Sequence, residues 1–203
     1  MATQITDHAV PRPMERGARR EQILEQALAL ISQQGVHAVS TRQIAAAVGI
    51  SQPSLYAFFP TRQALVAEVS RRAFQALSAR MSDEVSAPAG AGLLLRLARA
   101  YIDFGLTHPD AYRVAFMIEG VRRAAGGEHD AALGAGLAAF RVLRDATAQS
   151  LGPDATGEAV EVVAQSTWAS LHGLVSLMIA RPHFPWADRK ALVETHIRRL
   201  LTD

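Results

Sequence analysis

The stretch TRQIAAAVGISQPSLYAFFPTR, residues 41 to 62, places hydroxyl, amide and guanidinium groups at short intervals without a nucleophile beside a general base. Thr41 and Thr61 each stand where a helical pattern begins. There a side-chain hydroxyl and unpaired backbone N–H groups together make a phosphate site. Tyr56 can donate its hydroxyl to a phosphate oxygen and Arg62 adds a guanidinium, contacts that hold a protein on a duplex without reading it. Gln52, Pro53, Ser54 and Ala57 carry base-edge chemistry, since glutamine pairs with adenine and proline or alanine can touch a thymine methyl. Arg42 can reach a guanine or a phosphate, and Arg19 and Arg20 are further phosphate candidates. Taken one at a time, Ser40, Thr41, Ser51 and Thr61 are also ordinary helix caps, and the arginines ordinary solvated charges. Only their ordered combination separates the two readings.

Such groups need elements to hold them. Ile23, Leu24, Ala27, Leu28 and Ile31 recur at helical spacing until Gly35 stops the pattern. Ser40 with Gln43 forms a capping box, followed by Ile44, Ala45 and Val48 and a left-handed stop at Gly49. Ser51 caps a third helix whose first turn tolerates Pro53 and which turns Leu55 and Phe58 inward. Pro60 closes it, and Thr61 opens a fourth helix with Leu65, Val69, Ala73 and Leu77 on one stripe to about Met81. Two short helices joined at Gly49 match a helix-turn-helix unit, which lays its second helix in a major groove. Residues 1 to 15, with Pro11 and Pro13, read as a flexible arm, residues 16 to 62 as the reading head and 63 to 203 as a second domain.

Beyond the head, helical patterns run from Leu93 to Leu106, through Tyr112, Phe116 and Met117, from Leu133 to Thr147, from Glu158 to Ala180 and from Asp188 to Leu201. Nothing alternates with period two for long enough to make a sheet. The expected fold is all-α, with about nine helices.

The 203 residues allow one or two compact units. Cysteine is absent, which excludes disulfides, thiolate metal sites and cysteine nucleophiles, and points to a reducing compartment. Of the 21 basic residues 20 are arginine, and the net charge divides as +4 over residues 1 to 80 and −2 over the rest, so the head is the basic end. The longest strongly apolar run, Leu174 to Ala180, falls far short of the ~20 residues of a membrane span, and the start of the chain lacks the order of an export signal. We expect a cytoplasmic protein without a membrane partner. Gly49-Ile50-Ser51-Gln52-Pro53 lacks the last glycine and the preceding strand of a nucleophile elbow. No phosphate-cradling Gly-Lys loop occurs. Glu128, His129 and Asp130 are adjacent, so their side chains diverge and suit a solvated segment rather than a metal. Neither an enzyme nor a cofactor is expected.

Thr41 to Leu65, with Ile44-Ala45, Gly49, Ser51, Leu55-Tyr56, Phe59 and Pro60-Thr61-Arg62 at their spacings, closely resembles the DNA-binding segment of TetR-family transcriptional regulators. One departure is Phe58, where the family commonly has histidine; its chemistry suits core rather than phosphate. Trp168-x-x-x-His172-Gly173 resembles the signature of one class of C-terminal domain in that family, and Thr107-His108-Pro109 with Tyr112-Arg113 is similar to it. The resemblance implies a helical domain that dimerises through its last two helices and binds a small-molecule effector.

The residues add to this. Ser166, Ser170, Gly173 and Ser176 or Leu177 share one helical face, where small side chains let another helix approach. With Leu192, His196 and Leu200 of the last helix they form the expected dimer interface. A two-fold pair would place its reading helices about 34 Å apart, on successive major-groove faces of a palindromic operator. Tyr101, Phe104, Phe116 and Met117 are pocket candidates, as are Phe140, Trp168, His172 and Met178. An aromatic and methionine set of this kind serves plain core equally well. The expected function is a ligand-responsive transcriptional regulator, a repressor released from its double-stranded DNA by a largely apolar effector. The competing reading is a helical small-molecule-binding protein whose N-terminal motif is structural only.

Overall fold

The computed structural model describes residues 13–35, 37–86, 92–117 and 127–201. These residues form nine α-helices and no strand: α1 (Pro13–Gln34), α2 (Thr41–Val48), α3 (Gln52–Tyr56), α4 (Arg62–Ser86), α5 (Leu93–Thr107), α6 (Pro109–Tyr112), α7 (Gly127–Leu151), α8 (Gly157–Ala180) and α9 (Arg189–Leu201). A five-residue π turn, Arg113–Met117, continues α6.

The caps are formed as the side chains dictate. Ser40 Oγ accepts from the Gln43 backbone at 3.2 Å while Gln43 Oε1 accepts from the Ser40 backbone at 2.8 Å, and Gly49 ends α2 at φ 71°. Ser51 Oγ accepts from Ser54 N at 3.2 Å and Thr61 Oγ1 from Ala64 N at 2.9 Å, opening α3 and α4. Two expected boundaries move. Helix α1 starts at Pro13, inside the stretch read as an arm, because a first-turn proline loses no helical hydrogen bond. Helix α4 runs on past Met81 to Ser86. Residues 1–12 of the arm and the side chains of Glu128, His129 and Asp130 lie outside what is described.

Two cores result. Ile23, Ala27, Ile44, Leu55 and Phe59 centre the head, with Phe58 half-buried against them. Leu97, Ile102, Tyr112, Leu143, Leu171 and Ile197 centre the body. Helix α4 serves both, giving Leu65, Val66 and Val69 to the first and Leu77 and Met81 to the second. Helix α8 is long and apolar enough, by length and composition, to cross a bilayer, a test that the shorter run Leu174 to Ala180 does not meet. Here its inner side, with Ala164, Leu171 and Val175, is buried in the body core, while Val162 and Leu177 are exposed.

Close packing of α5 on α8 depends on Gly105, where a β-carbon would stand 2.4 Å from Val175 Cγ1 and 3.0 Å from the Tyr112 ring. Gly105→Ala is expected to destabilise the body by about 1–2 kcal/mol, since overpacking outweighs the ~1 kcal/mol of helix propensity that alanine returns. Thermal denaturation measures it, and an unchanged or raised Tm would contradict the packing described.

Candidate functional site

On the outer side of α3, three predicted residues converge. Gln52 Nε2 donates to Thr41 Oγ1 at 3.0 Å, and the Thr41 and Tyr56 hydroxyls lie 3.2 Å apart. Thr41 is itself buried at the start of α2, while Tyr56 is 40% exposed. The hydrogen bonds from Thr41 and then Gln52 hold the Tyr56 phenol below its ordinary pKa. Such a phenol is a better donor to an anion. Pro53, Ser54 and Ala57 are exposed beside it, as is Arg42 on α2. Ser54 Oγ is 2.7 Å from Ser51 Oγ, so the capping serine and its neighbour order each other.

The arginines divide. Arg19 is exposed at the head, with Nη1 donating to Gln22 Oε1 at 2.8 Å. Arg62 donates from Nε to the Val39 carbonyl at 3.1 Å, which ties the start of α4 to the loop before α2. Arg20 departs from expectation. Its guanidinium binds Glu68 at 2.9 Å and lies 4.8 Å from the Phe59 ring centroid, so a carboxylate of the chain occupies the place foreseen for a phosphate. Helix α1 carries Arg20 around to face α4, a contact that spacing within one helix does not reveal.

In the body a cavity of about 620 Å³ opens between α4, α5, α7 and α8. Tyr101, Phe116, Phe140 and Trp168 line it as the sequence suggested. The other four candidates do not. Phe104 is buried and stacks on His108 with ring centroids 5.0 Å apart, Met117 is exposed at the end of the π turn, and Met178 packs on the core further along α8. His172 lies one layer behind the wall, with its ring 5.3 Å from Phe116 and Nδ1 2.7 Å from the Tyr112 hydroxyl.

Sequence reasoning missed Phe74 and Gly136, although both line the cavity. Phe74 meets Phe116 edge-on at 4.8 Å, and a β-carbon at residue 136 would come within 3.3 Å of the Phe74 ring. It also missed the polar wall, Glu161 and Gln165, where Gln165 Nε2 donates to Glu161 Oε1 at 2.8 Å. Helical spacing from Trp168 could have suggested both, at three and seven residues before it.

One short segment touches both cores. Val114, 1% exposed, belongs to the head core, and Phe116, two residues on in the same π turn, belongs to the cavity wall.

Among the predicted interface residues, Ser166 and Leu177 are exposed, and Ser170, Gly173, Leu192, His196 and Leu200 are half-buried. Ser170 Oγ and His196 Nε2, 3.2 Å apart, join α8 to α9. A β-carbon on Gly173 would meet nothing within 4 Å.

Comparison with known proteins follows this division. The curated HTH-type transcriptional regulator YobS of Bacillus subtilis (strain 168), itself uncharacterized, is 32% identical over 101 residues. That match takes in 50% of this chain, and the chain spans about half, 53%, of the relative's length. Among solved structures, that of SCO4313, assigned as a regulatory protein, is 25% identical with a TM-score of 0.80, covering 96% of this chain and 100% of the other. The ketosteroid transcriptional regulator KstR2 of Mycobacterium tuberculosis (24% identity, TM-score 0.67, 91% and 93% covered) shares the fold. So does FadR of Bacillus subtilis in complex with stearoyl-CoA (14%, TM-score 0.73, 90% and 97%). Residues 23–69 match the family of bacterial regulatory proteins of the tetR type, and residues 94–200 match the tetracyclin repressor-like C-terminal domain. Head and body thus carry the two halves of one architecture, and the chain belongs to the TetR family of transcriptional regulators.

Proposed function

We propose that this chain is a homodimeric repressor that binds a palindromic operator in double-stranded DNA and is released by a small, largely apolar effector held in the α4–α5–α7–α8 cavity. The observation that carries it is the Thr41–Gln52–Tyr56 cluster, presented on the open side of α3 beside exposed Pro53, Ser54 and Ala57. Tyr56, Thr41, Thr61, Arg19, Arg42 and Arg62 position the head on phosphates, while Gln52, Pro53, Ser54 and Ala57 read bases. Arg20 leaves the phosphate set. Residues 16–62 act as the head and 63–203 as the body, which we assign to the Trp-x-x-x-His-Gly class on Trp168, His172 and Gly173. Ser166, Ser170, Gly173 and Leu177 form one face of α8, to which exposed Val162 adds, and with Leu192, His196 and Leu200 they pair with a second copy.

Occupying an operator blocks a polymerase, and an effector that favours a dimer geometry with mismatched head spacing lifts the block by its differential affinity for the two states. Val114 and Phe116 supply a physical path for that preference. Mobility shift on DNA flanking the chain's own gene tests the reading. Tyr56→Phe should weaken binding to every sequence alike, by about 3–10-fold for one lost hydrogen bond. Gln52→Ala should instead relax preference at one or two base pairs of each half-site. Lack of DNA binding at low ionic strength overturns the proposal, and an unchanged base preference removes Gln52 from the reading set.

A further inference from the structure

Behind the cavity wall five side chains form one continuous hydrogen-bonded chain. Trp168 Nε1 donates to Tyr101 Oη at 3.2 Å, the Tyr101 and Tyr112 hydroxyls are 2.9 Å apart, Tyr112 Oη is 2.7 Å from His172 Nδ1, and His172 Nε2 is 3.2 Å from Ser176 Oγ. Burial lifts the Tyr101 phenol to about 12, pushes Tyr112 up as well and pulls His172 down, so all three are neutral near pH 7. A neutral imidazole has one donor and one acceptor. The five groups therefore hold five donor hydrogens for the four links of the chain, so one hydrogen is left outside it.

A chain that runs in one direction throughout delivers that hydrogen at an end. In one order Tyr101 donates to Tyr112, Tyr112 to Nδ1 and Nε2–H to Ser176, and the spare hydrogen belongs to Ser176. In the other Ser176 donates to Nε2, Nδ1–H to Tyr112 and Tyr112 to Tyr101, and the spare hydrogen is the Tyr101 O–H. Tyr101 and Trp168 both line the cavity. Ser176 stands in mid-helix on α8, where a serine hydroxyl can donate to the carbonyl four residues before it, so the spare hydrogen has a partner in the first order, which favours that order.

We propose that Tyr101 is the polar reader of the effector cavity, and that the effector is an apolar molecule with a neutral carbonyl oxygen that accepts the Tyr101 hydrogen and reverses the chain. This rests on the effector-cavity reading above. A carboxylate is disfavoured because the wall already carries Glu161, whose charge is matched by Arg144 at 3.1 Å. A carbonyl adds no charge.

The test uses the full chain labelled with ¹⁵N-histidine and two probes, benzophenone and diphenylmethane, which differ by a carbonyl in place of a methylene. Benzophenone should bind about tenfold tighter, the range of one hydrogen bond. Its binding should move the His172 nitrogen signals from the Nε2–H to the Nδ1–H pattern. Tyr101→Phe should erase the preference while still binding diphenylmethane. If that variant does not fold, the tautomer change in the unaltered chain decides. Equal binding of the two probes, a preference that survives in Tyr101→Phe, or an unmoved His172 pattern with benzophenone bound overturns the carbonyl assignment while the cavity reading stands. Failure of both probes to bind overturns both.

Discussion

Leu177→Arg is expected to give a monomer whose operator affinity is lower by at least ~100-fold, the scale of avidity lost when two linked contacts become one. Leu177 is 57% exposed in the isolated protomer, on the α8 face that carries Val162, Ser166 and Gly173. In a two-fold interface the same patch is used twice, so the substitution buries one guanidinium from each copy without a partner, and near the axis it also sets the two toward each other. The fold of each protomer has little reason to suffer, since the side chain leaves the body core untouched. Helical content should therefore persist while sedimentation reports half the mass and the mobility shift fades. A variant that stays dimeric at micromolar concentration would remove this face from the interface. A monomer that still holds the operator as tightly would remove the need for paired heads.

The head could be read from sequence because its determinants are local. Ser40 meets Gln43, Ser51 meets Ser54, and Gly49 turns the chain between them, all within a few residues. Thr41 and Tyr56 are 15 residues apart, but the caps fix both helices and so bring them together. Arg20 shows where this stops, because its partner Glu68 lies 48 residues away and helix rotation alone decides whether they meet. In the body almost every decisive contact is of that second kind. Tyr112 bonds His172 across 60 residues, and Trp168 bonds Tyr101 across 67. An aromatic stripe announces that something apolar is covered, but whether it meets core or cavity depends on a gap left by other helices. Gly136 illustrates it: a glycine in a helical run makes room for Phe74 from α4.

Glu68→Gln is expected to cost about 2–3 kcal/mol, in the range for hydrogen bonds to a charged group, and to lower Tm by roughly 4–10 °C. Glu68 lies on α4 with its side chain only 12% exposed, and three guanidinium groups close on it. Arg71 binds it at 2.7 Å, Arg20 at 2.9 Å and Arg72 at 3.2 Å. Arg72 also pairs with Glu21 on α1, so the cluster clamps the helix that opens the head to the one that leaves it. The glutamine keeps the shape but cannot balance the arginines. The same charge predicts acid behaviour. The Arg71 hydrogen bond, followed by those from Arg20 and Arg72, outweighs burial and holds the Glu68 carboxyl at about 2, against an ordinary 4.5. Folding therefore favours the ionised form, and the stabilisation is complete above about 4.5 and disappears as the pH falls through about 2. Glu21, also lowered by its Arg72 hydrogen bond, acts in the same direction. Between pH 5 and 2 the unaltered chain should lose stability more steeply than Glu68→Gln, whose remaining slope comes from Glu21 and the other carboxylates. Denaturant titrations at stepped pH measure both curves. Parallel curves would mean that Glu68 is no more bound when folded than when unfolded, and the clamp between α1 and α4 would have to be sought in the apolar contacts of Ile23, Leu65 and Val69 instead.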